Sequence, residues 1–223
     1  MDNNNKILSW LVHEMRTPLT AIKGFASILE DENYSEEEKK KFLNIINWEC
    51  KRLELMLENI SDFDSLISDE KVIIRKQKDI DVCSLGNKCL EIQKIFSKSK
   101  HSLVKKFSHE IIKIHTDPEK ICQILLNLLN NAVKFSPNGG EITLSIKLYN
   151  DKVIFSVEDE GVGIPADKID EIFEKYERID KNIEGKGIGL FIAKHLVRTL
   201  GGKITAESKK DQGTKITFFL PIE

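Results

Sequence analysis

Apolar side chains recur along residues 7–30 at Leu11, Met15, Ile22, Phe25 and Leu29, and Pro18 completes the series in steps of 4, 3, 4, 3 and 4. That spacing predicts a helix with a heptad seam. A proline inside a helix removes one hydrogen bond and crowds the carbonyl four residues back, here that of Glu14, at a cost of about 3 kcal/mol. Because the seam runs straight through it, the helix is expected to bend at Pro18 and continue. A second series, Leu53, Met56, Ile60, Phe63 and Ile67, predicts another long helix. Between them, in "EDENYSEEEKK", Ser35 with Glu38 three residues later forms a capping box. The reading is a helical hairpin over residues 1–68. One hairpin cannot bury such a seam alone, and pairing two as a symmetric four-helix bundle predicts a homodimer. With Leu11 at heptad position d, His13 falls at f and Thr17 at c, both facing outward.

After "SDEKVIIRKQKDI" the period changes, so residues 69–223 read as a second domain. "KVIIRK" (71–76) and "SLVKKF" (102–107) read as strands around a helix at "SLGNKCLEIQKIFSK" (84–98), with another strand at 111–115. Asp117-Pro118 opens a helix through Phe135, with proline at the first helical position. "GEITLSIKLY" and "KVIFSVEDE" form a hairpin about Asn150-Asp151. A last helix, around 187–200, is followed by strands "GKITAES" and "TKITFFLPI". The fold class is α+β: a helical hairpin, then a mixed sheet backed by helices as an α/β sandwich with its own core.

Charge narrows the partners. The 223 residues carry a formal net charge of −2, with acids and bases interspersed. Residues 1–67 hold 13 acids and 8 bases, and neither half shows the clustered basic stripe of a nucleic-acid binder. Four cysteines, at 50, 83, 89 and 122, have no C-x-x-C or metal-ligand spacing and are expected to be free thiols in a reducing compartment. No apolar run approaches the ~18 residues of a membrane span, and no signal-peptide pattern opens the chain. A cytoplasmic protein, or the soluble piece of a longer one, is expected.

Three stretches put polar or glycine residues where a fold does not need them. In "NLLNNAVKF", Asn127 and Asn131 lie one turn apart on a helix face, with Lys134 three residues on. Amide oxygens suit a hard cation and an ammonium suits phosphate, although a surface asparagine cluster reads the same way. In "EDEGVGIP", Asp159 ends a strand before Gly161 and Gly163; a carboxylate there can accept from an exocyclic amine, or the stretch is a plain turn. In "GKGIGLFIAKHL", Gly185, Gly187 and Gly189 lead into a helix whose N-terminal N–H groups suit phosphate. The G-x-G-x-G spacing, with no βαβ unit around it, is not a dinucleotide-binding fingerprint.

In this order the chain resembles the catalytic core of a sensor histidine kinase. "VHEMRTPLT" is similar to that family's H box, "NLLNNAVKF" to its N box, "DEGVGIP" to the first glycine box, "IFEKYERID" to the phenylalanine box and "GKGIGL" to the second glycine box. The resemblance implies a dimerisation and phosphotransfer domain followed by an ATP-binding domain of the gyrase–Hsp90–kinase type. It implies His13 as the phosphoacceptor from ATP and a response regulator receiver domain, through its aspartate, as the next acceptor. Glu14 then orients or deprotonates the imidazole, and Thr17 positions water for dephosphorylating the regulator. Asn131 is the implied Mg²⁺ ligand, with Asn127, Lys134 and Arg178 near the phosphates and Asp159 reading adenine. Phe135, Gly161, Gly163, Ile164, Gly185, Gly187, Ile188, Gly189 and Leu190 complete the implied ATP site, the later glycines framing a lid over roughly 165–184. Lys186 stands where the family commonly has a small residue. Only a dozen residues precede His13, which suggests a fragment; membrane attachment is expected only if an upstream sensor region supplies it. Two other classes fit parts of the chain. An ATPase that only hydrolyses ATP needs no H box, and a decayed scaffold needs neither Asn131 nor Asp159.

Overall fold

The structure is a computed structural model that describes residues 2–29, 34–67, 73–96, 100–174 and 188–222. It divides into two compact units, Met1–Ser68 and Asp69–Glu223.

The first unit is a pair of helices, α1 (Asp2–Leu29) and α2 (Glu36–Ile67), packed against each other. Helix α1 runs through Pro18, which is buried, while Met15, Ile22, Phe25 and Leu29 of the same seam are half-buried. The capping box forms: the Glu38 main-chain N–H donates to Ser35 Oγ at 3.3 Å, and the Ser35 N–H donates back to Glu38 Oε2 at 2.9 Å. Near this end the Phe25 and Phe42 rings stack with centroids 5.6 Å apart, and Tyr34 meets Phe42 edge-on at 5.2 Å. These contacts fasten the two helices together beside their connection.

The second unit contains β1 (Gln77–Asp81), α3 (Val82–Phe96), β2 (His101–Phe107), β3 (Lys113–Thr116), α4 (Pro118–Phe135), β4 (Gly140–Tyr149) and β5 (Lys152–Asp159). Two short 3₁₀ turns follow at Ala166–Lys168 and Glu171–Phe173, then α5 (Gly189–Thr199), β6 (Lys203–Ser208) and β7 (Thr214–Pro221). Five strands form one mixed sheet in the order β2-β4-β5-β7-β6, with β2 parallel to β4 and the remaining pairs antiparallel. Strands β1 and β3 form a separate two-stranded ladder.

One strand expectation needs correcting. "KVIIRK" is not a strand over its described residues 73–76; pairing begins only at Gln77. Among the described residues no strand pairs with 73–76. Instead the Arg75 N–H donates to Asp117 Oδ2 at 2.7 Å, and Ile73 is 74% exposed. Asp117 also caps α4, accepting from the Glu119 and Lys120 N–H groups at 3.0 and 3.2 Å.

Helix α4 is the axis of the core. Ile121, Ile124, Leu125, Leu128 and Leu129 are buried, and α4 packs against α3, α5 and the sheet. An isoleucine or leucine fully removed from water contributes about 1.5–3 kcal/mol, so these side chains lock the helix in place. Below them lie Ile142, Leu144 and Ile146 of β4 and the stacked rings of Phe155 and Phe218, 4.5 Å apart.

Candidate functional site

Helix α4 carries its amides on the side that meets α5. Asn127 and Asn131 are half-buried, whereas Asn130 is exposed. The first residue of α5, Gly189, faces them: a methyl group placed on it would lie 3.9 Å from Asn127 Oδ1 and 4.0 Å from Asn131 Nδ2. Ile188 supplies no side-chain cap to helix α5, whose first-turn N–H groups lie beside those amides. Ile188 and Leu190 flank Gly189 and are half-buried. The Lys134 ammonium sits over the ring of Phe135, 5.1 Å from its centroid, at the end of α4.

The second cluster is built on Asp159, the last residue of β5. The residue is only 9% exposed, and its Oδ1 accepts the Gly161 N–H at 2.9 Å. The N–H of Thr214, its register partner on β7, also donates to the carboxylate. Burial pushes the carboxyl above the usual aspartate range, against the pull of those two N–H groups, and neighbouring Glu158 adds to the rise. A carboxylate offers about four acceptor positions, so a ligand amine still finds a free one.

Main-chain contacts join the two clusters. Val162 N–H donates to the carbonyl of Phe135 at 3.0 Å, and a side chain at Gly161 would meet that same oxygen at 2.2 Å. Gly163 has φ +62° and lies against the carbonyl of Lys209, a conformation and an approach that only glycine tolerates. Ile164, buried, donates its N–H to Ser208 Oγ at 2.8 Å, and Ser208 in turn contacts Thr214 Oγ1 at 2.9 Å. Ser208 and Thr214 thus support the Asp159 loop, and nothing in their local sequence marks them. Only the β5–β7 register places Thr214 opposite Asp159.

The remaining expected residues divide by unit. His13, Glu14 and Thr17 lie in α1, immediately before Pro18, with His13 and Thr17 one turn apart. Arg178, Gly185 and Gly187, with Lys186 and most of the expected lid, lie outside the described residues. At the lid's near end, Ile172 and Phe173 are buried and Glu174 pairs with Lys194 of α5 at 2.9 Å. Among the described residues no three His, Cys, Asp or Glu side chains cluster closely enough to hold a metal ion. No helix among them is long and apolar enough to cross a membrane.

Comparison with known proteins accounts for both units. Residues 3–68 match the His Kinase A (phospho-acceptor) domain, and residues 116–223 match the histidine kinase-, DNA gyrase B- and HSP90-like ATPase domain. The chain is 29% identical over 216 residues to the sensor histidine kinase WalK of Bacillus subtilis (strain 168), covering 94% of this chain and 35% of that protein. It therefore spans about a third of that relative's length. Full-length ShkA, solved in complex with AMPPNP, superposes with a TM-score of 0.66 at 27% identity, over 97% of this chain and 45% of ShkA. Histidine kinase ThkA, solved in complex with the response regulator protein TrrA, has the same fold: TM-score 0.61, 24% identity, 98% of this chain and 61% of ThkA. With a phospho-acceptor hairpin followed by an ATPase-type sheet domain, the chain belongs to the sensor histidine kinases.

Proposed function

We propose that the chain is an ATP-dependent autokinase core that phosphorylates His13 and passes the group to an aspartate on a response regulator receiver domain. A neutral ring nitrogen of His13 attacks the γ-phosphorus of ATP, the bond to the ADP oxygen breaks, and ADP leaves as the imidazole proton is lost. Glu14 orients the ring or takes that proton. The phosphoryl group then moves from nitrogen to the carboxylate of the regulator, and Thr17 serves the reverse duty of positioning water for dephosphorylation.

The observation that carries the reading is the apposition of Asn127 and Asn131 with Gly189 at the start of α5. Amide groups, a helix N-terminus and Lys134 together suit a polyphosphate, and Asp159 suits the exocyclic amine of adenine. Asn127, Lys134 and Arg178 are assigned to the phosphates. Gly161, Gly163 and Ile164 shape the base pocket beside Phe135, and Gly185, Gly187, Ile188 and Leu190 frame the lid. Asn131 is the assigned Mg²⁺ ligand, and an ion held there would supply charge neutralisation at the transferring phosphoryl group. The protein's own part is to orient ATP and exclude water that would compete with His13.

A homodimer follows from the hairpin. Leu19, Leu43 and Leu57 are 51%, 48% and 53% exposed, more apolar surface than one pair of helices hides.

Incubation with γ-labelled ATP and Mg²⁺, beside a His13→Gln control, tests the reading. The expected result is acid-labile, alkali-stable label on the wild type alone. ATP binding without label would instead make the chain a nucleotide-binding scaffold.

A further inference from the structure

Cys89 and Cys122 are 33 residues apart in sequence yet meet in the fold. Cys89, on α3, is fully buried. Its thiol is directed at the carbonyl oxygen of Cys122 on α4, with Sγ 4.0 Å from that oxygen, so the two cysteine residues face each other across the α3–α4 interface. Cys122 is half-buried, the more open of the two. One turn along α3 from Cys89, the buried amide of Gln93 has neither its nitrogen nor its oxygen paired. A small shift of α3 against α4 therefore breaks no hydrogen bond of that side chain.

We propose that Cys89 and Cys122 are a redox site: a hydroperoxide converts them to a disulfide that staples α3 to α4 and weakens nucleotide binding. The Cys122 sulfur attacks the distal peroxide oxygen, the O–O bond breaks, and an alcohol (water, for hydrogen peroxide) leaves, giving a sulfenic acid. The Cys89 sulfur then attacks that sulfur, the S–O bond breaks and water leaves. Two thiols and one hydroperoxide become one disulfide, one alcohol and one water.

The direction of the effect comes from the position of α4. It lies between α3 and α5, with Cys122 toward α3 and the amides of Asn127 and Asn131 toward Gly189 of α5. A disulfide holds its sulfurs at roughly 2.05 Å, far closer than two thiols in contact. The closure draws α4 toward α3 and withdraws both amides from the start of α5. The contact with Cys122 and burial both hold Cys89 as a thiol in the resting state, so oxidation begins at the more open partner. The effect on nucleotide rests on the function proposed above; formation of the bond does not.

The test uses the whole chain in a Cys50→Ser background, because exposed Cys50 invites cross-linking between chains. Hydrogen peroxide treatment, then digestion without reductant and mass spectrometry, is expected to give a linked peptide containing Cys89 and Cys122. Affinity for a non-hydrolysable ATP analogue is expected to fall about fivefold or more and to recover with dithiothreitol. Cys122→Ala, and separately Cys89→Ala, should abolish both changes; Cys122→Ala spares the buried position in case Cys89→Ala folds poorly. Overoxidation of Cys122 without the linked peptide overturns the site, and a linked peptide with unchanged affinity overturns its effect on nucleotide. If the reduced protein binds no analogue, the proposed function and this effect both fall, and the peptide map still decides the bond.

Discussion

The carbonyl oxygen of Phe135, at the end of α4, accepts the main-chain N–H of Val162 at 3.0 Å. This bond ties the helix that carries Asn127 and Asn131 to the loop that follows Asp159. It leaves no room for a side chain at Gly161, where an added methyl group would sit 2.2 Å from the same oxygen. Gly161→Ala is therefore expected to cost about 1–3 kcal/mol through overpacking against rigid backbone. It should also weaken ATP-analogue binding by displacing the Asp159 loop. Thermal unfolding beside calorimetric titration checks both; unchanged values would mean that the contact yields easily.

Gly189→Ala should behave oppositely. The added methyl group meets nothing closer than 3.9 Å, and alanine is a better helix former than glycine by about 1 kcal/mol. Stability is expected to hold or rise slightly. The group nevertheless enters the space between the amides and the α5 N-terminus, so affinity for ATP should fall while affinity for adenosine stays the same. Equal losses for both ligands would remove the phosphates from this end of the site.

Asp159 gives a pH signature. Its carboxyl titrates above the usual aspartate range because it is buried. A raised pKa in the folded state means that stability is favoured below the unfolded value and lost as pH rises through the folded one. Relative to Asp159→Asn, the wild type should thus lose stability as pH climbs through that window. Nucleotide affinity should run the other way, falling on acidification as the acceptor is protonated. At neutral pH, Asp159→Asn is expected to weaken adenine nucleotides by about 10- to 100-fold, the loss of one charged hydrogen bond. Melting curves and titrations from pH 4 to 8 decide it.

The two helices of the hairpin and most strands of the second unit were legible because their apolar periods are 3.5 and 2, and the β4–β5 turn carries Asn150-Asp151. "KVIIRK" has strand composition, but a strand needs a partner, and the main chain there is turned to Asp117 instead. The boxes themselves could be read from residue type. What joins them could not, since the Phe135–Val162 bond is main chain to main chain and leaves no mark in either side chain. Thr214 and the Cys89–Cys122 contact likewise depend on register and helix packing between distant segments.

Ser35 and Glu38 report on the hairpin loop independently. The hydroxyl and N–H of Ser35 both donate to the Glu38 carboxylate and hold its pKa below the usual glutamate value. A lowered pKa contributes stability above the unfolded value, lost as pH falls through the folded one. Ser35→Ala should move the Glu38 titration, followed by carbon-13 resonance, upward and fray the first turn of α2. An unmoved titration would mean that the box does not form in solution.

Pro18 is buried in an unbroken α1, five residues after His13 and one after Thr17. Alanine there restores the hydrogen bond to Glu14 and removes the ring's clash, a gain of about 3 kcal/mol. Part of that gain is offset by the lost burial of the ring, about 0.8 kcal/mol per methylene. Pro18→Ala is thus expected to raise the melting temperature of the hairpin. If the proline only interrupts the helix, autophosphorylation and transfer proceed unchanged in the more stable protein. If it makes the helix bendable beside the reactive imidazole, the stiffer helix misplaces His13, and displacement of about 1 Å can cost 100-fold in rate. A rise in stability together with a fall in both rates is the expected outcome, measured with labelled ATP and a purified receiver domain. That outcome would make Pro18, which weakens its own helix beside the proposed phosphoacceptor, a residue that serves by the motion it permits.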